Sequence, residues 1–258
     1  MISYIKRELG RAFHRKYTYA YVLGILALCL LANIAVIAFR TIYGTNDGTY
    51  AYNLIEYATW CFIIPYYSCI FIADVGFGKV YPNPQIKDNV TKNLSRVQIY
   101  FSKLITELIL ALFFVMVAVI VLFVTTTLFQ YKDGTLSADM IIDFLVKMLY
   151  AFPLWIAGVS IGNMFLFMFE NKKKAVVLYF VLTVVIERVI LLLAAEPLQL
   201  APFRFIRTFT ITQCFGLLPY PADPSRNIPL TIALGFIYAA ISSVIGVICY
   251  KKKKVDYV

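Results

Sequence analysis

The feature that most constrains this chain is an apolar run near its start, residues 17–39, which contains no charged residue. A helix needs about 20 consecutive apolar residues to cross the hydrocarbon core of a bilayer, so this run is long enough. The apolar region of a secretory signal peptide is shorter, about 7–15 residues, and is followed by a small-residue cleavage site. The run therefore predicts a membrane-spanning helix that is retained in the protein.

Five further apolar runs follow, and the composition supports the same interpretation for them. Of the 258 residues, 61% are apolar or aromatic and 15% are charged, whereas soluble domains carry about 25% charged residues. So few charges could not cover an aqueous surface of ordinary size. We predict one all-α integral membrane domain, residues 1–258, with six transmembrane helices. Their approximate ranges are 17–39, 54–73, 104–129, 144–169, 175–195 and 229–250.

The distribution of Lys and Arg predicts the orientation, because short loops rich in these residues stay on the cytoplasmic side. Most of the 24 Lys and Arg residues lie in residues 1–16, after the second and fourth predicted spans, and at the C terminus. Both termini are therefore predicted to be cytoplasmic, with the protein in the cell membrane. This asymmetry and the attraction to anionic lipid explain the net charge of +10, so no nucleic-acid partner is expected.

Residues 1–16 have the pattern of a helix that lies on a membrane surface. Ile2, Ile5, Leu9 and Phe13 fall on one helical face, with basic residues around them. Such helices bury the apolar face at the level of the lipid headgroups. The alternative is an unstructured basic tail that only sets the topology. We predict an N-terminal amphipathic interfacial helix.

Small residues at helical spacing occur in the fourth and sixth predicted spans. Gly158 and Gly162 match G-x-x-x-G, a pattern that lets two helices approach closely. With Ser160 they also match the G-x-S-x-G pattern of serine hydrolases, but the single histidine, His14, lies outside the spans. Helix packing is the favoured interpretation, and no catalytic, cofactor-binding or metal-binding residue is predicted. The sixth span carries a similar face, formed by Gly235, Ala239 and Ser243.

The fifth predicted span contains two adjacent charged residues, Glu187 and Arg188. Ionisable residues inside a membrane are costly and usually functional. Adjacent positions point about 100° apart on a helix, so the two residues need not neutralise each other. One interpretation is that they line a substrate path or couple transport to protons. The other is a structural ion pair near the outer end of the span.

The connection between the second and third predicted spans, residues 74–104, carries the most informative pattern. It contains, in order, Asp74, Gly78, Lys79, Ile86-Lys87-Asp88-Asn89, Leu94-Ser95-Arg96, Tyr100 and Lys103. This order resembles the permease subunits of ABC-2 type transporters, and the spacing is similar to that of small bacterial six-span permeases of peptide-antibiotic export and immunity systems. The basic start and the closing Cys-Tyr-Lys-Lys-Lys-Lys-Val-Asp resemble the same family. Pro82 and Pro84 depart from its pattern.

The resemblance implies half of the membrane part of an ATP-driven exporter of a hydrophobic or amphipathic peptide or antibiotic. Two permease chains, identical or different, would pair, and each would rest on a separate ATPase subunit that binds ATP and magnesium. The chain has no G-x-x-x-x-G-K-[ST] phosphate loop, which agrees with a transport subunit that is not itself an enzyme. The resemblance also implies a re-entrant outer segment between the fifth and sixth spans, residues 196–228.

In this family the connection between spans two and three forms a coupling helix that docks on the ATPase. Residues 85–98 contain neither Gly nor Pro, and Ile86, Val90, Leu94 and Val97 fall on one helical face. Such a stripe suits a groove on the ATPase; alternatively, it packs on the chain's own membrane face. The predicted ATPase-contact residues are Ile86, Lys87, Asp88, Val90, Lys92, Leu94 and Arg96.

Two other classes of function remain open. A secondary transporter or channel would rely on Glu187 and Arg188 and work without ATP, although matched broken helices of inverted repeats are not evident. An intramembrane enzyme is disfavoured by the shortage of histidines and of paired acidic residues. Binding to an ATPase distinguishes the first class from these two.

Overall fold

The computed structural model describes most of the chain as helices. The described residues are 1–43, 50–77, 94–130, 137–195, 199–220 and 224–252. No strand occurs among them, so the prediction of an all-α protein is confirmed for this part of the chain.

The helices are numbered in chain order. They are α1 Ile2–Phe13, α2 Lys16–Tyr43, α3 Tyr50–Trp60, α4 Ile63–Phe77, α5 Arg96–Phe129, α6 Ala138–Met168, α7 Lys172–Phe180, α8 Glu187–Ala194, α9 Ala201–Arg207, α10 Ile211–Leu217 and α11 Pro224–Lys252. A π-helical turn, Val181–Ile186, joins α7 to α8.

Five helical segments are long and apolar enough to cross a membrane. They are Lys16–Ile42, Arg96–Phe129, Ala138–Met168, Lys172–Ala194 and Pro224–Lys252. These segments coincide with five of the six predicted spans, as expected of a multi-pass membrane protein.

The second predicted span, residues 54–73, is a bent pair of helices. α3 and α4 meet at an angle of 58° across residues 61–62, whereas the sequence predicts a kink at Pro65. The proline lies in the first turn of α4. In a continuous helix its ring would clash with the carbonyl group of Cys61, four residues earlier, so the break precedes the proline. Counted as one span, the pair brings the total to six.

Trp155 of α6 satisfies the backbone at this break. Its Nε1 donates to the carbonyl oxygen of Phe62 at 2.8 Å, and the two rings pack edge to face with centroids 5.7 Å apart. Carbonyl groups released from a helix at membrane depth need a protein donor, because lipid tails supply none. The bend is therefore built into the packed interior.

Close contact between α4 and α6 depends on glycine. A Cβ at Gly158 would lie 2.8 Å from the ring of Tyr66, and one at Gly162 would lie 3.3 Å from the Cβ of Ala73. The two glycines predicted as a packing face thus lie against α4, where a larger side chain would push the helices apart.

The other predicted packing face lies along α11. A Cβ at Gly235 would lie 2.6 Å from the carbonyl carbon of Pro153 on α6, so no larger residue fits without a shift of the backbone. Ala239 and Ser243 are also buried. α6 is therefore enclosed between α4 and α11 at the centre of the bundle.

The N-terminal helix predicted for residues 1–16 is present as α1. Its buried residues are Tyr4, Glu8 and Ala12, whereas Ile2 of the predicted apolar face is 70% exposed. The side that packs on the bundle is therefore centred on Glu8, because this residue has a charged partner on another helix, described below. Contact of the Ile2 face with the membrane surface stays a prediction.

Two short helices, α9 and α10, occupy the region for which the sequence predicts a re-entrant segment. Tyr238 of α11 donates its hydroxyl hydrogen to the Phe209 carbonyl oxygen at 3.1 Å, which ties the turn between these helices to the bundle. Helical structure in this region is observed; its re-entrant character stays a prediction.

Candidate functional site

Three charged side chains meet where α1 packs on the start of α5. Lys103 Nζ donates to Glu8 Oε2 at 2.6 Å and to the Phe77 carbonyl oxygen at 2.8 Å. Arg11, on the next turn of α1, forms an ion pair with the same carboxylate. The side chains of Glu8 and Lys103 are 1% and 8% exposed, so this pair lies inside the protein. It fastens α1 to α5 and to the end of α4.

The charge of Glu8 is maintained by its basic partners. Burial by itself would raise the pKa of the Glu8 carboxyl group, but Lys103 and Arg11 outweigh burial and lower the pKa below its ordinary value. An isolated charge would not be stable here, because removing it from water costs several kcal/mol. The carboxylate is therefore ionised at neutral pH.

A second buried acidic residue, Glu107, lies one turn beyond Lys103 on α5. It is 0% exposed, and the side-chain nitrogen of Asn163 on α6, turned toward it, lies 3.2 and 3.3 Å from its two oxygens. Gly76 of α4 makes room for it, since a Cβ there would lie 2.5 Å from Glu107 Cγ. We refer to Glu8, Lys103, Glu107 and Asn163 as the polar core.

The polar core crosses from the surface helix into the bundle. Glu8 belongs to α1, Lys103 and Glu107 to α5, and Asn163 to α6. Ionisable groups in membrane-spanning helices are rare and face the interior of the bundle, where they pair or serve transport. This arrangement can link the position of α1 to the packing of α5 against α6.

The end of α4 is held next to the polar core by two further contacts. Arg15 Nη1 donates to the Val75 carbonyl oxygen at 2.8 Å, and Asp74 forms an ion pair with Lys172 at the start of α7. The carbonyl groups at the end of a helix have no partner within it, so Arg15 supplies a donor that the helix lacks. α4 therefore ends in a fixed position immediately before residue 78.

The start of α5 is likewise fixed by hydrogen bonds, both within its first turn and to α11. Ser95 and Gln98 form a capping box: Ser95 Oγ accepts from the Gln98 N–H at 3.2 Å, and Gln98 Oε1 accepts from the Ser95 N–H at 2.9 Å. Arg96 Nη1 donates to the Lys251 carbonyl oxygen at 2.8 Å and, more weakly, to that of Tyr250 at 3.4 Å. The first turn of α5 thus holds the end of α11.

The predicted coupling residues lie only partly within the described structure. Ile86, Lys87, Asp88, Val90 and Lys92 lie outside the described residues. Leu94 is half-buried and precedes α5, and Ser95 is extended, with φ −66° and ψ 156°. The prediction of one helix through residues 85–98 is therefore wrong at Ser95. Arg96, predicted to contact an ATPase, donates to the end of α11, and its contact with an ATPase stays a prediction.

Glu187 and Arg188 lie in different surroundings. The Glu187 carboxylate accepts the Thr212 backbone N–H at 2.9 Å and the Tyr66 hydroxyl hydrogen at 3.3 Å, so it joins α8 to α10 and α4. Arg188 is exposed, and no ion pair links the two within the described residues. Glu187 therefore fastens helices here, and a role for either residue in a substrate path stays a prediction.

The serine of the G-x-S-x-G pattern lies in the middle of a helix. Ser160 is 1% exposed within α6, and the sequence around it forms no strand-turn-helix element. His14 follows the end of α1, where its Nδ1 lies 2.7 Å from the Gly10 carbonyl oxygen. Ser160 is therefore buried within the helix bundle.

Sequence reasoning missed the acidic half of the polar core. Glu107 lies inside the third predicted span, where an acidic residue in an apolar run is the same kind of signal as Glu187. Glu8 gave a weaker signal, because an acidic residue on a basic amphipathic helix is normally exposed. Its partner, Lys103, is 95 residues away in the chain.

Comparison with known proteins does not place the chain in a family. No protein-family model matches the chain, and no match is found among curated proteins. In the described part of the chain, no three or more His, Cys, Asp or Glu side chains come together as they would to hold a metal ion. Function is therefore inferred from the sequence pattern and the geometry of the described residues.

Proposed function

We propose that the chain is the membrane-spanning permease subunit of an ABC-2 type transporter that exports a hydrophobic or amphipathic peptide or antibiotic. ATP and magnesium bind a separate ATPase subunit, and a second permease chain, identical or different, completes the transporter. The sequence resemblance over residues 74–104 is the basis of this family assignment.

The observation that carries the proposal is how residues 78–93 are attached. α4, which precedes this segment, is held by Arg15 and Lys103. α5, which follows it, is held by its own capping box and by Arg96, which donates to the end of α11. An ATPase that pushed on the segment would move α1, α4, α5 and α11 together. Coupling of ATP hydrolysis to transport needs a connection of this kind between the docking segment and the spans.

The positions of the chain ends support the proposed orientation. α1 contacts the start of α5 through Lys103, and the end of α11 contacts the same region through Arg96. α1 and the end of α11 therefore lie at one end of the bundle, as an even number of crossings requires. The lysines of 172–174 and 251–252 begin or end helices at that end as well, which fits a cytoplasmic location.

Copurified ATPase activity tests the proposal. The tagged chain is isolated from its native membrane in mild detergent, and vanadate-sensitive ATP hydrolysis is measured. We expect activity with the unaltered chain and its loss with Val90→Asp, because the new charge would be buried unpaired in the ATPase groove. Thr91→Asp, on a different face of the predicted helix, serves as the matched control and should retain the activity.

Two results would contradict the proposal. One is a chain that purifies intact without any ATPase activity. The other is transport of an amphipathic peptide into inverted vesicles that proceeds equally well with and without ATP.

A proton-coupled transporter that works without ATP is the second candidate. The observation that favours it is the presence of Glu107 and Glu187 in membrane-spanning segments, neither of them in an ion pair formed by described residues. In this case a pH gradient across proteoliposomes should drive transport without ATP. Glu107→Gln, which keeps the size of the side chain and removes its charge, should abolish that transport while the protein stays folded.

A further inference from the structure

A polar cavity lies where α9 packs against the end of α8. Its volume is about 240 Å³, and its lining includes Arg204 and Arg207 of α9, Thr208, Gln213 and Ala194. Since a water molecule occupies about 30 Å³ in the liquid, the cavity has room for a phosphate group together with several water molecules.

The two arginines point into this cavity from one face of α9. Residues three apart are neighbours on a helix surface, and Arg207 is oriented by its Nε, which donates to Gln213 Oε1 at 2.9 Å. Neither arginine belongs to an ion pair formed by the described residues; Glu196 lies outside that part of the chain. Two guanidinium groups are suited to a phosphate, which they can hold with paired hydrogen bonds.

The depth of the cavity points to lipid as the source of the phosphate. Ala194, which lines it, is the last residue of the membrane-spanning segment Lys172–Ala194. The hydrocarbon core ends where such a segment ends, and lipid headgroups begin there. The cavity therefore lies at the level of the headgroups.

The same short region also offers an apolar surface for acyl chains. Phe205 is 68% exposed, Ile206 44% and Phe209 37%, and the rings of Phe205 and Phe209 pack together with centroids 5.1 Å apart. Exposed aromatic side chains next to basic ones are typical of segments that lie in a membrane interface. The arginines at the cavity therefore suit the phosphate of a phospholipid, and the aromatic side chains beside it suit the acyl chains.

We propose that Arg204 and Arg207 bind the phosphate group of an anionic phospholipid at the headgroup level of the membrane. Two positive charges favour a headgroup with net negative charge over a zwitterionic one, whose own cation would be repelled. Binding here would fix α9 against α8 and hence the outer connection before α11. This site does not depend on the transport function proposed above.

Native mass spectrometry of the purified chain in detergent micelles tests the site. The chain is titrated with phosphatidylglycerol or with phosphatidylcholine of the same acyl chains, and the dissociation constant of the first bound lipid is measured. We expect phosphatidylglycerol to bind about tenfold more tightly or better, and Arg204→Gln/Arg207→Gln to lose about tenfold to a hundredfold in affinity for it. Arg226→Gln, an exposed arginine at the start of α11, is the matched control and should bind normally.

A second variant is needed in case the glutamine variant does not fold. Arg204→Lys/Arg207→Lys keeps the charges and should bind phosphatidylglycerol with intermediate affinity.

Equal binding of the two lipids by the unaltered chain would overturn the proposal, because arginines neutralised by another residue would show no such preference. Displacement of the lipid by inorganic phosphate at similar concentration would identify a free anion as the ligand and overturn it too. The proposal would also be overturned if Arg226→Gln lost as much affinity for phosphatidylglycerol as Arg204→Gln/Arg207→Gln.

Discussion

Replacing Glu8 with glutamine tests directly how α1 is held on the bundle. The change keeps the size of the side chain but leaves Lys103 buried, with the carbonyl oxygens of Phe77 at 2.8 Å and Gly76 at 3.4 Å as its acceptors. Removing one partner of a buried ion pair costs about 3–5 kcal/mol. Because the two carbonyl groups partly satisfy the ammonium group, we expect a loss near the lower limit, about 3 kcal/mol.

This loss should appear as detachment of α1, since Glu8 joins α1 to the rest of the bundle. Each 1.4 kcal/mol is about a tenfold change in an equilibrium constant, so the detached fraction should rise by roughly a hundredfold. α1 contains three trypsin sites, Lys6, Arg7 and Arg11. When opening is fast, cleavage follows the population of the open form, so trypsin should remove the N-terminal residues about a hundred times faster. Intact mass measurements in detergent micelles follow the cleavage.

A second ion pair provides the control. Asp143 pairs with Lys147 at 2.7 Å, but its side chain is 61% exposed, and exposed pairs contribute less than about 1 kcal/mol. Asp143→Asn should therefore leave N-terminal cleavage unchanged. Lys103→Met added to Glu8→Gln should restore part of the resistance, because no buried charge is then left unpaired. Cleavage of Glu8→Gln at the rate of the unaltered protein would refute this account of the ion pair.

Three further predictions concern the charge of Glu8, the fit of Gly76 and the orientation of the chain in the membrane. The stabilisation of α1 by the Glu8 carboxylate is present above the ordinary carboxyl pKa of 4.5 and should be lost only below it, as the pH falls through the lowered pKa; hydrogen exchange of residues 2–13, corrected for pH, measures this loss. Gly76→Ala places a Cβ 2.5 Å from Glu107 Cγ and should lower stability by about 1–3 kcal/mol in detergent unfolding. Cysteines introduced at Tyr220 and Lys173, both exposed, should react with an impermeant thiol reagent from outside at Tyr220 alone.

These measurements have simple controls. Gly10→Ala of α1 meets no atom within 4 Å, so it should not lower stability as Gly76→Ala does. Permeabilised cells should expose both introduced cysteines to the reagent. Labelling of Lys173→Cys alone in intact cells would reverse the proposed orientation.

The positions of five long helices could be predicted because their cause is local. A bilayer requires every backbone polar group to be paired within the protein, and a helix pairs them within one segment. A window of about 20 apolar residues therefore carries nearly all the information needed. The exception is the pair α3 and α4: Pro65 indicated a disturbance, but the break lies at residues 61–62, where the Trp155 side chain of another helix accommodates it.

The buried side of α1 and the polar core could not be predicted in the same way. The apolar stripe from Ile2 to Phe13 predicted a face of α1 for the membrane surface, but it could not predict the face that packs on the bundle. That face is centred on Glu8, whose charge Lys103 and Arg11 neutralise. Likewise, the charges within the predicted spans drew attention to Glu187, and the structure adds Glu107. Asn163 lies within hydrogen-bond distance of the Glu107 carboxylate, and Gly76 leaves room for its side chain.

The sequence by itself determined that this chain is a helical membrane protein, where most of its spans lie, and that α1 is a helix. Each of these follows from local hydropathy, since transfer into lipid acts on every segment separately. Only the tertiary structure decided which charges are buried, where the second span bends, and that Arg96 holds the end of α11. The physical reason is that burial of a polar group is stable only when a partner meets it. Those partners are brought from distant parts of the chain by packing.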